Sequence, residues 1–490
     1  MILLLVVVPA AAALIAFFIR ADRVRRALLV LTAALHTALV AWCWADRASF
    51  TAMGAWVGLD ATGLLFLTVT NVLFLAVSVY TVGFLRRESD GTHADREEGF
   101  LFSNAPEAVF TACLLLFLST MSLVTISRHF TLMWVAIEAT TLVTAPLIHY
   151  HRHHRSLEAA WKYLLICSVG IAIALLGSFF LAAAASGGEP VPLTFDALLA
   201  SAGSLDTSWL KAAFILFLVG YGTKMGLVPM HTWLPDAHSE APSPVSALLS
   251  GALLNCAFLA ILRIHAVCVA AGIGPFSREL LLIFGLVSMG GAAAFIIGQP
   301  DFKRLLAYSS VENMGILAIG VGLGGLGNWG ALFHAMNHSL AKAALFLTAG
   351  NILAACGTKK VAEIRGLLST QPWSAGLWIA GFFAIGGAPP FGAFLSEFTV
   401  LRAAVSSGSW LVVTLYLLLL TAVFIGMAAA VTGMTQGAPP EMDRPRIREP
   451  LSSLIAPIAL LTMVAALGLV MPPFLDDVLR EAALLLGGST

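Results

Sequence analysis

Fourteen long apolar runs fill most of the sequence, and nothing else in it constrains the fold as tightly. They lie near 1–20, 27–45, 62–85, 107–127, 129–149, 158–185, 209–234, 244–271, 278–298, 302–324, 327–355, 373–403, 409–435 and 451–472. A helix needs about 20 mostly apolar residues to cross the hydrocarbon core of a bilayer. The runs are continuous rather than alternating, which excludes a membrane β-barrel. Composition agrees. Of 490 residues, 59% are hydrophobic and 11% charged, and the mean hydropathy is +0.91. An average soluble domain carries about 25% charged residues. So few charges exclude a soluble enzyme, a nucleic-acid binder and a disordered chain. The sequence predicts an all-α polytopic membrane protein of about 14 transmembrane helices, with the lipid bilayer as its first partner.

Basic residues orient the spans. Arg20, Arg23, Arg25 and Arg26 follow run 1, and Arg86, Arg87 and Arg96 follow run 3. Arg152 and Arg155 follow run 5, and Lys303 and Arg304 follow run 9. Lys359, Lys360 and Arg365 follow run 11, and Arg444, Arg446 and Arg448 follow run 13. The even-numbered loops hold Arg47, Arg128, Lys211, Arg278 and Arg402. Odd loops are therefore expected in the cytoplasm and both termini outside. The first run has no basic stretch before it, so it reads as a retained helix rather than a cleaved signal.

Two runs contain internal breaks. Run 7 reads GYGTKMGLVPMHTWLPDAH, with Gly226 and Pro229 inside it. Run 12 reads FFAIGGAPPFGAFLSEF, with Gly386, Gly387, Pro389 and Pro390 inside it. Proline removes a backbone donor and clashes with the preceding turn. In lipid a broken helix survives where it packs in protein or lines a wet cavity. The breaks lie five helices apart in the order of the chain, so a second copy would be inverted. Paired interrupted helices of this kind point to an inverted-repeat transporter with a site near the midplane. Two unrelated Gly/Pro kinks are the plainer alternative.

Charges inside the runs cost at least about 2.5–3.5 kcal/mol each at the bilayer centre. Glu138 sits at the middle of run 5, and Lys224 lies thirteen residues beyond Lys211, just before the first break. A Glu–Lys pair whose separation changes is a proton-loading switch; a static packing pair is the blander reading. In run 11, His334, His338 and Lys342 are spaced by four and form one stripe. Titratable groups at this spacing suit a water-bridged proton path, whereas a lone membrane histidine would serve an interhelical bond. In run 10, Arg304, Tyr308 and Glu312 again step by four. Lys303 and Arg304 read as interfacial anchors and Glu312 as a deeper functional carboxylate. Glu397, after the second break, could end the polar row on the far side or face water. His231, Asp236, His238 and Glu240 follow the first break and could admit protons or satisfy freed backbone groups.

Other features point to packing. Cys43, Cys113, Cys167, Cys256, Cys268 and Cys356 form no C-x-x-C pair, which argues against iron–sulfur, zinc or disulfides. His149, His151, His153 and His154 form a tract in a loop where positive charge is expected anyway. No phosphate loop, dinucleotide fingerprint or nucleophile–base pair is present, so no catalytic residue, metal or cofactor is assigned to this chain.

Taken together, KMGLVPMHTWLPDAHSEAPSPVSALLSG, DFKRLLAYSSVENMG, HAMNHSLAKAALF and APPFGAFLSEF resemble the antiporter-like subunits of respiratory complex I. The superfamily includes subunits of multisubunit cation/proton antiporters and of membrane-bound [NiFe] hydrogenases. WLPDAHSEAP, AYSSVENMG and NHSLAKAALF look closest to the hydrogenase-4 F component. The resemblance implies two inverted five-helix repeats, helices 4–8 and 9–13, with helices 7 and 12 broken. It divides the chain into 1–106 (helices 1–3), 107–271 and 272–435 (the repeats) and 436–490 (helix 14 and a tail). By motif match, Glu138 resembles the family's helix 5 glutamate, Lys224 its helix 7 lysine, Lys342 its helix 11 lysine and Glu397 its helix 12 charge. Asn255 departs from the helix 8 lysine of many relatives; asparagine stores no proton and can only hold water in place. Glu312-Asn313 departs from the histidine that many carry there. The implied function is a proton-translocating membrane subunit of a hydrogenase-4-type or complex-I-like redox-driven pump in a bacterial or archaeal inner membrane. Its partners would be other membrane subunits and peripheral redox subunits carrying Ni–Fe and iron–sulfur clusters, and its cargo protons, with sodium left open. A member of a multisubunit Na+(K+)/H+ antiporter, a membrane protein that energises inorganic-carbon uptake and a non-conducting scaffold stay open as alternatives.

Overall fold

The computed structural model describes residues 2–47, 49, 54–88, 92–94, 99, 101–186, 191–438 and 449–487. Arg96, Arg444, Arg446 and Arg448 lie outside the described residues. The chain begins with six helices: α1 (Leu4–Phe18), α2 (Asp22–Ala45), α3 (Ala61–Arg87), α4 (Glu107–Ile126), α5 (Phe130–Ile148) and α6 (His154–Ala184). A short hairpin, β1 (Thr92–Ala94) with β2 (Leu101–Ser103), joins α3 to α4. Helix α7 comes in two pieces, α7a (Thr207–Met225) and α7b (Trp233–Glu240). Then follow α8 (Ser243–Ala270), α9 (Gly274–Ile296), α10 (Phe302–Leu323) and α11 (Leu326–Cys356). Helix α12 is also split, into α12a (Pro372–Ile385) and α12b (Gly392–Ser406). The chain closes with α13 (Trp410–Thr435), α14 (Leu451–Leu469) and an amphipathic α15 (Pro473–Leu485).

Among the described residues twelve helices are long and apolar enough to cross a bilayer, taking α7a and α7b as one. The other two expected spans are the 15-residue α1 and the broken α12. Burial does not follow hydropathy. Helix α8 is buried throughout its apolar window and α10 nearly so, whereas the more apolar α13 turns most of its surface outward. The helices α3, α4, α7 and α11 are also largely buried, so the interior lies around α3, α4, α7, α8, α10 and α11. Helices approach through glycines where they pack most closely. A Cβ built on Gly220 of α7a would stand 2.6 Å from the backbone of Ala174 on α6, the small-residue packing that membrane helices use.

Ion pairs sort the loops into two faces. On one face Arg26 pairs with Glu107, Lys162 and Arg304 with Asp236, and Lys359 with Glu240. These residues all flank odd-numbered loops. On the other, Arg47 pairs with Glu481, Arg128 with Asp196, and Arg263 with Asp60. These flank even-numbered loops or the chain end. Alternate loops thus lie on opposite faces, as the basic residues lead one to expect.

Two local features were not expected. Helix α8 carries a π-helical turn at Leu249–Leu253, where Gly251 packs against the Ser339 backbone of α11. Lys303 is not an interfacial anchor. It is 2% exposed and donates to the carbonyls of Ser239 (3.1 Å) and Ala241 (2.5 Å). Those carbonyls end α7b, where the helix dipole favours a cation. Arg304 keeps the anchoring role, bound to Asp236 at the rim.

Candidate functional site

The first break shows why Lys224 sits where it does. Helix α7a stops at Met225 because Gly226 takes the left-handed conformation, with φ 85°. Trp233 Nε1 donates to the carbonyl of Thr223 at 2.8 Å, which also accepts the Gly226 N–H. Lys224 therefore occupies the last turn, at the negative end of the helix dipole, and is wholly buried. Its ammonium donates to Thr141 Oγ1 (2.8 Å) and the Tyr163 hydroxyl (2.6 Å), and stands 4.5 Å from the centre of the Tyr163 ring. The Tyr163 hydroxyl is in turn 2.6 Å from Thr144 Oγ1.

Glu138 makes no direct pair with Lys224 among the described residues. Its Oε1 accepts from Ser168 at 2.9 Å, and its buried Oε2 has no partner among them. The expected Glu–Lys switch is thus two charges separated by hydroxyl groups rather than a contact pair. Thr141 lies one turn after Glu138 on α5, so the EATTLVT sequence places acid and hydroxyls on one helix face. That spacing was legible; the role of Tyr163 and Ser168 on α6 was not, because hydroxyls are common in membrane helices.

Asn255 joins α8 to α11. Its amide donates to Gly251 O (2.9 Å) and Ser339 Oγ (2.8 Å) of α11, and its buried Oδ1 has no partner among the described residues. Beside it Ser250 and Ser310 bridge α8 to α10 at 2.8 Å.

On α11 the expected stripe meets α10 and α12b. His334 bonds Ser396 Oγ and Asn313 Oδ1, both at 2.9 Å. His338 is fully buried, and neither ring nitrogen has a partner among the described residues. Lys342 donates to Leu306 O of α10 at 2.8 Å. The bonds of His334 and Lys342 run to other helices and His338 makes none among the described residues, so water must carry any transfer along the stripe. His238 is likewise buried with both nitrogens unpartnered among the described residues, its ring stacked 4.9 Å from Phe346. Glu312 accepts a long bond from Asn313 at 3.4 Å. Glu312 and Glu397 together line a cavity of about 260 Å³ beside the α12 break.

The second break turns at Gly386 and Gly387, the latter at φ 64°, followed by Pro389 and Pro390. A Cβ on Gly387 would overlap the Glu397 carboxylate, and one on Gly392 would overlap the Asn337 amide. The glycines thus admit the polar side chains to the backbone. The remaining expected residues lie nearer the odd-loop face. Tyr308 stacks on Phe295 at 5.0 Å, and His231 lies 6.1 Å from Tyr308. Asp236 belongs to a rim ion cluster with Lys162 and Arg304 rather than to the buried row. The histidine tract is used locally: His149 bonds Ser156, His151 bonds Asn104, and His153 lies 3.6 Å from Glu240. Among the described residues no cluster of three or more His, Cys, Asp or Glu could hold a metal ion. Among the described residues no disulfide links the cysteines.

Residues 127–425 match the family model "NADH:quinone oxidoreductase/Mrp antiporter, TM". The chain belongs to this family. The hydrogenase-4 component F homolog of Methylacidiphilum infernorum is 36% identical over 439 residues, covering 88% of this chain and 89% of that one. Hydrogenase-4 component B of Escherichia coli is 30% identical over 353 residues, covering 69% of this chain but 49% of that longer protein. The same fold occurs in a chain of the Mrp complex from a Dietzia species, with TM-score 0.85 at 20% identity over 99% of this chain and 97% of that one. A chain of respiratory complex I from Thermus thermophilus matches with TM-score 0.78 at 24% identity, over 96% and 97%. As a member of the antiporter family, the protein is an antiporter-like, multi-pass membrane subunit of the kind found in redox-driven ion pumps. Glu138, Lys224, Lys342 and Glu397 all fall inside the matched region.

Proposed function

We propose that this subunit carries protons for a hydrogenase-4-type redox pump along the buried row from Glu138 through Lys224, Asn255 and Lys342 to Glu397. One observation supports this reading above the rest. Ionisable groups sit deep in apolar helices, and Glu138, Lys224 and Lys342 are held by hydroxyls and a carbonyl rather than by opposite charges. A packing role would favour neutralised pairs, because an uncompensated buried charge is costly. Neutral partners let a proton leave without breaking an ion pair. Neutralising or displacing Glu138 removes the field that holds the Lys224 charge, and the proton moves on through water at Asn255 towards Lys342, His338 and Glu312.

The repeats would be 107–271 and 272–435, flanked by helices at 1–106 and 436–490, each repeat holding one break. His231, His238 and Tyr308 would admit protons from the odd-loop face. That face would be cytoplasmic in a bacterial or archaeal inner membrane, with both termini outside. Electron transfer would occur in peripheral partner subunits with Ni–Fe and iron–sulfur centres. The test is Lys224→Ala in the complete complex. Assembly should survive and redox-driven proton pumping should be lost; full pumping by an assembled mutant would sink the role.

A further inference from the structure

Lys303 is a buried cation with no carboxylate in ion-pair contact among the described residues. It is 2% exposed, and its ammonium is held by the carbonyls of Ser239 and Ala241 alone. Helix α7b stops at these residues because Pro242 pushes Ala241 into the extended conformation, with ψ 148°. Neither carbonyl accepts a backbone hydrogen bond among the described residues. Asp301 completes the grip. One of its oxygens caps α10 through the N–H groups of Lys303 (2.7 Å) and Arg304 (3.1 Å), and the other accepts from the Ser239 hydroxyl at 2.7 Å.

At its other end α7b begins with Trp233. The indole donates to Thr223 O at 2.8 Å, and its ring lies 5.0 Å from that of Tyr163, which binds Lys224. Ser239 follows Trp233 by six residues, about 9 Å of helix. So short a helix moves as one piece, and a shift at one end is a shift at the other. We propose that Lys303 is a positioning residue for proton transfer: through the two carbonyls it seats α7b on α10 and so keeps Trp233 and Tyr163 in place around Lys224. The inference rests on the proton row proposed above. It gives a reason for burying an unpaired charge, which is otherwise costly. A cation holds the negative end of a helix by charge as well as by hydrogen bonds. A packing role would need the stem of Lys303 and not its charge.

Three variants of the complete complex separate charge from packing. Lys303→Met keeps the length and removes the charge. Lys303→Arg keeps the charge, and the larger head has room because Lys303 borders a cavity of about 400 Å³ on the odd-loop face. Arg304→Met cuts the pair to Asp236 on the same helix, in which the arginine is 43% exposed. Amide hydrogen exchange over residues 233–240 is read in nanodiscs, and redox-driven pumping per assembled complex in proteoliposomes. Lys303→Met should speed the exchange and slow the pumping, each by at least about tenfold, the scale of a lost bond to a charged group. Lys303→Arg should restore both to within about threefold of the wild type, and Arg304→Met should change neither by more than about threefold, as exposed pairs behave. Wild-type exchange and pumping in Lys303→Met overturn the proposal. So does an equal loss in Lys303→Arg or in Arg304→Met, and so does faster exchange with normal pumping. Should Lys303→Met fail to assemble, the shorter, neutral Lys303→Gln takes its place under the same criteria. Pumping lost in Lys224→Ala but kept in Lys303→Met would remove the role of Lys303 and leave the proton row standing. Pumping kept in Lys224→Ala, with faster exchange in Lys303→Met, would sink the row and leave Lys303 only as the seat of α7b.

Discussion

Replacing Asn255 by leucine separates a packing role from a transfer role, because the two predict effects of very different size. Leucine keeps asparagine's branched outline but is larger, so the wholly buried site must repack slightly around it. The structural loss is the 2.8 Å bond to Ser339 and the second bond to Gly251 O. Ser339 keeps its own bond to Ala335 O at 2.6 Å, so no donor is stranded. Interhelical bonds in membranes are worth about 0.6 kcal/mol on average and about 1.7 at most. Assembly should therefore persist, with the melting temperature lowered by no more than a few degrees. Transfer should suffer far more. An apolar side chain between Lys224 and Lys342 removes the polar atoms that anchor bridging water. A charge crossing an apolar gap meets a penalty of about 2.5–3.5 kcal/mol, which slows passage by roughly two orders of magnitude. The assay is quenching of a pH-sensitive dye in proteoliposomes holding the complete complex, scored per assembled complex. Pumping within twofold of the wild type would refute the argument that the row runs through Asn255.

Two further outcomes follow from the same contacts. Tyr163→Phe deletes one of the two hydroxyls holding Lys224; a bond to a charged group is worth about 1.5–3 kcal/mol, so pumping should fall at least about tenfold in a normally assembled complex, as the same dye assay reads. Asp60 caps α3 and pairs with the buried Arg263 at 3.2 Å. Burial pushes the Asp60 carboxyl up, but Arg263, the Gly63 N–H, Thr62 and Arg128 outweigh it and hold it below 3.8. A depressed carboxyl contributes its full stability above its unfolded value and loses it as pH falls through the lower folded value. Asp60→Asn should thus cost about 3–5 kcal/mol by stranding Arg263, and melting curves between pH 7 and pH 3 should lose the acid-side slope that the wild type shows.

The sequence made some of this legible for a plain physical reason: membrane helices tolerate charge so poorly that each charge is conspicuous. Lys224 and Glu138 stood out against apolar neighbours, and glycine and proline marked both breaks. The residues that bind those charges did not stand out. Thr141, Tyr163, Ser168 and Ser339 differ little from ordinary membrane-helix residues, and which face they turn inward depends on helix rotation. The α8 π turn has no composition of its own. Lys303 misled for the opposite reason. A lysine at a helix start resembles an anchor, and only the fold brings the carbonyl end of α7b above it.

The last helix has a mechanical consequence. Asp476 of α15 accepts from Trp329 at 2.9 Å, and the carbonyls of Ala483 and Leu486 receive the Asn328 amide at 3.5 and 3.2 Å. Glu481 reaches Arg47 beyond α2, and Gly487 O accepts from Arg278 at the start of α9. One short helix therefore staples the N-terminal end of α11 to two other parts of the bundle. The helix that carries His334, His338 and Lys342 is clamped at that end like a beam set in a wall. Under the proposed function, turnover in such a frame would be worked by side chains, water and the two broken helices, with the beam itself standing still.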